Sequence, residues 1–384
     1  MVLVVGLACS GCGGGSFDDD GGLRDASIDG SGVVDEGMSG DASMDAGVDE
    51  PFPDAIESAL LLNDGQPMPC ADPTVVSVRN EGEDFYVFCT GMLRIWHTTD
   101  WETFEDVRPT TTFPLTGLGT QAQAINWWWA PSVIYDAGSG SYVMWVSIPS
   151  EASTGTAGGT NARSLGVFTA DVPTGPWSYE GDAITGAAMQ MYIDPFLFRD
   201  HDGKHYVFWK HYGPGIGSLI AAAEVSADWH AITGSQVTIM NGYGGTGTWE
   251  DNVRENPALY FDPAAARHHL IFSGGHWNDQ SYATGHALSA CGPLCVDADS
   301  GGWRMVESGD RGILQVVRTA DLDVFGAGGA GGAEFLGARA SYLLYAAAAP
   351  FGSNPPTRYL MLDPLSWANG APFVDTDGHH PTGY

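Results

Sequence analysis

Asp72–Gly91 reads DPTVVSVRNEGEDFYVFCTG. Two apolar runs rich in β-branched and aromatic residues flank a polar turn, which is the signal of a β-hairpin. The plan returns as APSVIYDAGSGSYVMWVS from Ala130, DPFLFRDHDGKHYVFWKH from Asp194 and NPALYFDPAAARHHLIFSG from Asn256. A fifth and most diverged copy, EFLGARASYLLYAAAAP, starts at Glu334. Each copy opens on a small or polar residue, usually followed by Pro, which costs no ladder bond at the first position of a strand. The starts lie roughly 60 residues apart, with a longer step before the last, and a period of that size with about four strands per unit is the signature of a β-propeller. The fold expected is all-β, a five-bladed β-propeller over residues 56–384. Outer strands are expected in IWHTTDWETFEDV, SLGVFTADVPTGPWSYEG, SLIAAAEVSADWHAI and ATGHALSACGPL. The innermost strand of each blade lines the central channel, so Asp72, Ala130, Asp194 and Asn256 should stand at equivalent points around one funnel.

The chain before the propeller has a different character. MVLVVGLACSGCGGGS is a short apolar core ending in small residues and a Cys, which reads as a lipoprotein-type signal over residues 1–12, with the lipid on Cys12 or Cys9. It lacks a basic n-region. Residues 13–55 are dominated by Gly, Asp, Ser and Ala, too poor in apolar surface to offset the ordering entropy, and read as a disordered acidic tether. The run DDDGGLRD lacks the ligand spacing and closing Glu of a calcium loop. Export, to the cell envelope or beyond it, follows as the expected localisation.

The 384 residues carry 15 Lys+Arg against 47 Asp+Glu, a formal charge of −32. Such a surface repels nucleic acid and anionic lipid, so neither is an expected partner, and the membrane enters only through the N-terminal anchor. No apolar run reaches the ~18 residues of a transmembrane helix. Cys70, Cys89, Cys291 and Cys295 are an even set in an exported domain, which allows disulfides. Cys70 and Cys89 bracket one hairpin and could face each other, and Cys291–Cys295 could close a tight loop. The spacing of the cysteines does not read as a zinc site.

The ordered motifs ADPTV, WWWAPSV, YIDPFLF and RENPALY resemble those of glycoside hydrolase family 43, over a stretch from about residue 66 to RYLMLDPLSW. That family has a five-bladed propeller and acts mainly on arabinose- and xylose-containing polysaccharides. The resemblance implies Asp72 as general base, Glu255 as general acid and Asp194 as the group that positions the acid and tunes its proton affinity. Such enzymes invert stereochemistry, which places acid and base roughly 6.5–9.5 Å apart with a water between. Arg254, adjacent in sequence, should point the other way because strand side chains alternate. Asp-Pro is also a common turn starter. Asp262 and Asp363 are read as turn residues; the equivalent phase of Asp72 and Asp194 in two repeats sets them apart.

Trp129 is expected to wall the sugar pocket, with Trp127 on its face and Trp128 on the other, and Trp277 to wall the opposite side. His211 and His276 are further candidates for the funnel. The chain departs from the family pattern at Asn256, where Gly or Ala is usual, and in the fifth blade, where GAGGAGGAEFL replaces a His-bearing turn and Gly332 takes the likely His position. No metal tied to that turn, and no cofactor, is expected. The function implied is a monomeric inverting glycosidase for α-L-arabinofuranosyl or β-D-xylosyl linkages. Its rival is a non-catalytic glycan- or partner-binding propeller. A fructan- or sucrose-acting relative is disfavoured because its motifs are missing.

Overall fold

In the computed structural model the described residues are 68–80, 84–91, 94–108, 128–151, 162–241, 253–277, 281–296, 301–306, 315–318, 330–336, 340–348, 357–368 and 370–374. The signal, the tether and Trp127 lie outside them. Among the described residues there is no α-helix, and no helix long and apolar enough to cross a membrane.

Five blades follow in chain order. The first holds β1 (Thr74–Ser77), β2 (Phe85–Cys89), β3 (Arg94–Thr98) and β4 (Glu105–Asp106). The second holds β5 (Trp129–Asp136), β6 (Ser141–Pro149), β7 (Arg163–Ala170) and β8 (Ser178–Ile184). In the third are β9 (Met191–Arg199), β10 (His205–Gly213), β11 (Gly217–Glu224) and β12 (Val237–Met240). The fourth is β13 (Glu255–Asp262), β14 (Arg267–Gly274), β15 (Ala283–Ser289), β16 (Arg304–Met305) and β17 (Gln315–Arg318). The fifth is β18 (Ala330–Leu336), β19 (Tyr342–Ala348), β20 (Arg358–Ala368) and β21 (Ala371–Val374). Successive strands pair antiparallel, except that β16 and β17 both pair with β15.

The apolar runs of the second strands have a physical reason. Both faces of each blade are buried, one against the preceding blade and one against the next. In β10, Val207 and Trp209 enter a core shared with Val143 and Trp145 of blade two, while Tyr206 and Phe208 enter a core shared with Leu270 and Phe272 of blade four. Alternation along one strand thus feeds two cores. Five such cores exist, between blades one and two, two and three, three and four, four and five, and five and one.

The last of these closes the ring. It joins Leu344, Leu360 and Leu362 of blade five to Val87 and Trp96 of blade one. Backbone bonds reinforce it: Cys70 N–H donates to Arg358 O (3.0 Å) and Leu360 N–H to Met68 O (2.9 Å). Cys70 is also joined to Cys89, with Cα atoms 5.2 Å apart, which ties this closing segment to β2. Cys291 and Cys295 form the second disulfide. Both pairings match the expectation from the hairpin and the tight loop.

Three sequence expectations are corrected. The fifth repeat starts at Gly332, the counterpart of Asp72, rather than at Glu334, on a strand that runs from Ala330. The prolines that follow the repeat starts in blades two to four lie inside strands rather than at their first residue. They are tolerated because each falls in a register shift, where the ladder bond is already missing. Asp262 does hold a turn, accepting from Ala264 N–H at 2.9 Å. Asp363 instead lies within β20, opposite Leu343, and accepts from the Tyr345 hydroxyl. Pro364 beside it falls between the two outer partners of β20, Met68–Cys70 and β21, where its nitrogen owes no ladder bond.

Candidate active site

The same backbone device recurs in every blade. Asp72, Ala130, Asp194, Asn256 and Gly332 all have left-handed backbones, with φ of 46°, 43°, 55°, 48° and 64°. In blades two to five each sits in a register shift of the innermost strand. A bulge with a left-handed residue turns the side chain out of the sheet and towards the channel mouth. Asp, Asn and Gly are the residues that tolerate this conformation, which explains four of the five occupants. The equivalent placement expected of the repeat starts is therefore met by the backbone itself.

The bulge frees N–H groups, and the preceding blade satisfies them. Ala130 N–H donates to Thr90 Oγ1 (2.7 Å), Asp194 N–H to Ser147 Oγ (3.1 Å) and Gly332 N–H to Ser273 Oγ (2.8 Å). Ser147 pairs with Trp129 and Ser273 with Glu255, in each case the residue before the left-handed one. The corresponding partner of Ile193 is Lys210. A lysine thus stands in blade three where blades one, two and four carry a small hydroxyl and blade five carries Ala346. Asn256 N–H, lacking a serine, donates to Asp194 Oδ2 at 3.2 Å.

These contacts gather Asp72, Asp194 and Glu255 at one point, all three buried. Asp72 is held by Arg358 through two bonds, at 2.7 and 3.0 Å, and by Thr90 Oγ1 at 2.6 Å. Glu255 Oε2 accepts from Lys210 Nζ, and its Oε1 from Tyr282 Oη at 2.8 Å. Asn256 Nδ2 donates to Asp72 Oδ1 (3.3 Å) and to Tyr282 Oη (2.8 Å). The three bonds from Asp72 through Asn256 and Tyr282 to Glu255, end to end, keep those oxygens below the ~9.5 Å limit of an inverting pair. The residue that departs from the family pattern is thus the one that bridges the two carboxylates. Gly332 has its own reason: a Cβ there would stand 2.9 Å from Asp72 Oδ1.

The electrostatics follow from burial. Burial, then the carboxylates of Glu255 and Asp72, push Asp194 well above the usual carboxylate range, against the pull of Lys210. Burial opposes the charge on Lys210, but Glu255 and Asp194 outweigh it and hold its pKa above the ordinary value. Arg254 points away from the cluster as expected, its guanidinium donating to Asn241 O.

Beside Asp72 and Asp194 the innermost strands line a cavity of about 30 Å³, bordered by Pro73, Pro131, Pro195, Pro257 and Glu334. That is space for one water. Glu334 accepts from Val75 N–H at 3.3 Å, and burial pushes its carboxyl up to about 8. The folded chain therefore holds this proton where the unfolded chain has released it. Glu334 should make stability fall as pH rises from about 4.5 to about 8, by up to ~1.4 kcal/mol per unit. In Glu334→Gln this slope should vanish from urea unfolding measured across the same window.

The aromatic expectations divide. Trp277, 40% exposed, lies under Arg358, whose guanidinium is 5.6 Å from its ring, so it borders the carboxylate cluster. Trp129 is half-buried with the Arg163 guanidinium 3.1 Å over its ring. Burial lowers Arg163 to about 9 while Asp194 works the other way, which places this pair beside the third carboxylate. Trp128 is buried against Phe168, on the core side as expected. His211 is engaged by Gln190 (2.7 Å) and stacked on Tyr192, and His276 is anchored at its backbone by Ser281 Oγ (2.9 Å).

Sequence reasoning missed Lys210, Tyr282, Thr90 and Arg358. Lys210 and Thr90 had a signal: in FCTG, WVSI, FWKH and IFSG the second strands align, and the lysine breaks a row of hydroxyls. Tyr282 and Arg358 had none, because only the ring closure and a loop bring them in.

The sequence matches the model described as glycosyl hydrolases family 43 over residues 67–372. The chain belongs to glycosyl hydrolase family 43. It is a glycosidase with a carbohydrate substrate. Solved structures of the family share the fold. One titled a thermostable family-43 glycoside hydrolase has a TM-score of 0.61 at 17% identity, covering 79% of this chain and 92% of its own. An alpha-L-arabinofuranosidase from Lactobacillus brevis has 0.60 at 19%, covering 79% and 93%. A Cellvibrio cellulosa alpha-L-arabinanase complexed with arabinohexaose has 0.58 at 17%, covering 81% and 97%. No curated protein sequence matches this one.

Proposed function

We propose that the chain is an inverting glycosidase that cleaves α-L-arabinofuranosyl or β-D-xylosyl linkages of plant-type polysaccharides or oligosaccharides. Glu255 is the general acid, Asp72 the general base, and Asp194 positions the acid and tunes its proton affinity. The observation that carries the reading is the opposition of Asp72 and Glu255 across Asn256 and Tyr282, within the reach of an inverting pair. One carboxylic acid protonates the leaving oxygen while the opposed carboxylate takes a proton from the attacking water. Burial and its like-charged neighbours raise the proton affinity of Asp194 beside Glu255. Arg358 aligns Asp72, and Trp277 and Trp129 offer ring faces to the sugar. The similarity to an arabinofuranosidase and an arabinanase supports the choice of sugar. The N-terminal sequence supports export, with the chain held at the envelope by a lipid on Cys12 or Cys9.

One contact favours the rival reading, a propeller that binds glycans without turnover: Lys210 against Glu255 is the pairing of an ionised carboxylate rather than of a proton donor. The test is hydrolysis of aryl α-L-arabinofuranoside, aryl β-D-xyloside, arabinan, arabinoxylan and xylo-oligosaccharides. Release of arabinose or xylose units is expected from part of this panel. Binding without any product would favour the rival.

A further inference from the structure

The hairpin turn of blade three and the second strand of blade four meet at a cluster that the catalytic reading leaves unused. Asp200 follows β9, and His201 comes next in the turn; His268 lies on β14, 68 residues on. Their ligand atoms all lie within 4.8 Å of one another. His201 Nδ1 and His268 Nε2 each stand 2.8 Å from the same oxygen, Asp200 Oδ1. Asp194 is near the start of β9 and Asp200 just beyond its end, about 20 Å away at 3.3 Å per residue. This cluster is therefore separate from the active site.

Four observations point to a cation. First, Asp200 is buried, its side chain 4% exposed, and its side-chain partners here are two imidazoles. A buried carboxylate is ordinarily balanced by a cation or a metal. Second, both imidazoles are held in place. His201 stacks on Phe261 at 3.9 Å with rings 7° from parallel, and His268 packs against Phe261 and Phe198. Ring orientation fixed by surrounding groups is what a ligating histidine needs. Third, His268 is buried but the His201 side chain is 44% exposed, which leaves an entry path from solvent. Fourth, the net charge of −32 concentrates divalent cations at the surface.

We infer that Asp200, His201 and His268 form a binding site for a divalent transition-metal cation of the zinc class. Two imidazoles and one carboxylate suit zinc, copper, nickel or iron rather than calcium or magnesium. The cation replaces the protons that now lie between each ring nitrogen and Asp200. With bonds of about 2.0–2.2 Å to each ligand, the nitrogens need to move only a few tenths of an ångström apart from the oxygen. The metal would clamp the turn of blade three to blade four.

The test uses the full chain, freed of metal with a chelator and titrated calorimetrically with ZnCl2 near pH 7.5, with thermal unfolding in parallel. One Zn2+ per chain and a raised Tm are expected. His201→Ala, at a half-exposed turn position, should weaken binding by at least about tenfold and abolish the Tm rise relative to its own metal-free form. His230→Ala, at another partly exposed histidine, should leave both unchanged. His201→Ala should keep wild-type glycosidase activity, which separates this site from the catalytic reading. Absence of Zn2+ binding, or binding that His201→Ala leaves intact, would overturn the inference.

Discussion

Glu255→Gln is expected to lower turnover of an unactivated oligosaccharide by about 10²–10⁴-fold, the range that a general acid contributes. The amide cannot protonate the leaving oxygen. Its oxygen can still accept from Tyr282, so the bridge through Asn256 survives. The informative measurement is a pair of substrates. On an aryl glycoside whose phenol leaves without protonation, the loss should shrink to a small fraction of that on the oligosaccharide. Equal losses on both would assign Glu255 a role other than proton donor.

Asp72→Asn should cost as much, but evenly. Water must be activated whichever group leaves, so the loss should be the same on aryl glycoside and oligosaccharide. The variant also strips Arg358 of its counter-charge. Arg358 is 12% exposed and bonds both oxygens of Asp72. Removing one partner of a buried ion pair costs about 3–5 kcal/mol. Urea unfolding should show that cost, and the kinetics belong at a temperature where the variant is still folded. A wild-type rate in a folded Asp72→Asn protein would exclude it as the base.

The fold was legible because a propeller repeats itself. Each blade buries both faces, so its second strand is rich in apolar residues, and five such strands recur along the chain. The fifth start was misplaced by two residues because the device that marks it is conformational. Gly332 reaches the left-handed region without an Asp, Asn or Pro to announce it. Asp363 was misread for the converse reason, since Asp-Pro marks a turn only where the backbone is free of a ladder.

The candidate site divides in the same way. Asp72, Asp194 and Glu255 could be placed because each has a fixed phase within a repeat. Their partners could not. Arg358 reaches Asp72 only because the ring closes between blades five and one, 286 residues apart in sequence. Asn256 stood out as a departure, and its bridging of Asp72 and Tyr282 required the distances. The cluster at Asp200, His201 and His268 escaped a search by spacing because its members come from two blades.

The central claim is that Asp72 and Glu255 act from opposite faces of the sugar in a single displacement. The most direct test is the anomeric configuration of the first product formed, followed by proton NMR before mutarotation scrambles it. The account predicts a product of inverted configuration. A product that first appears with the configuration of the substrate would contradict it.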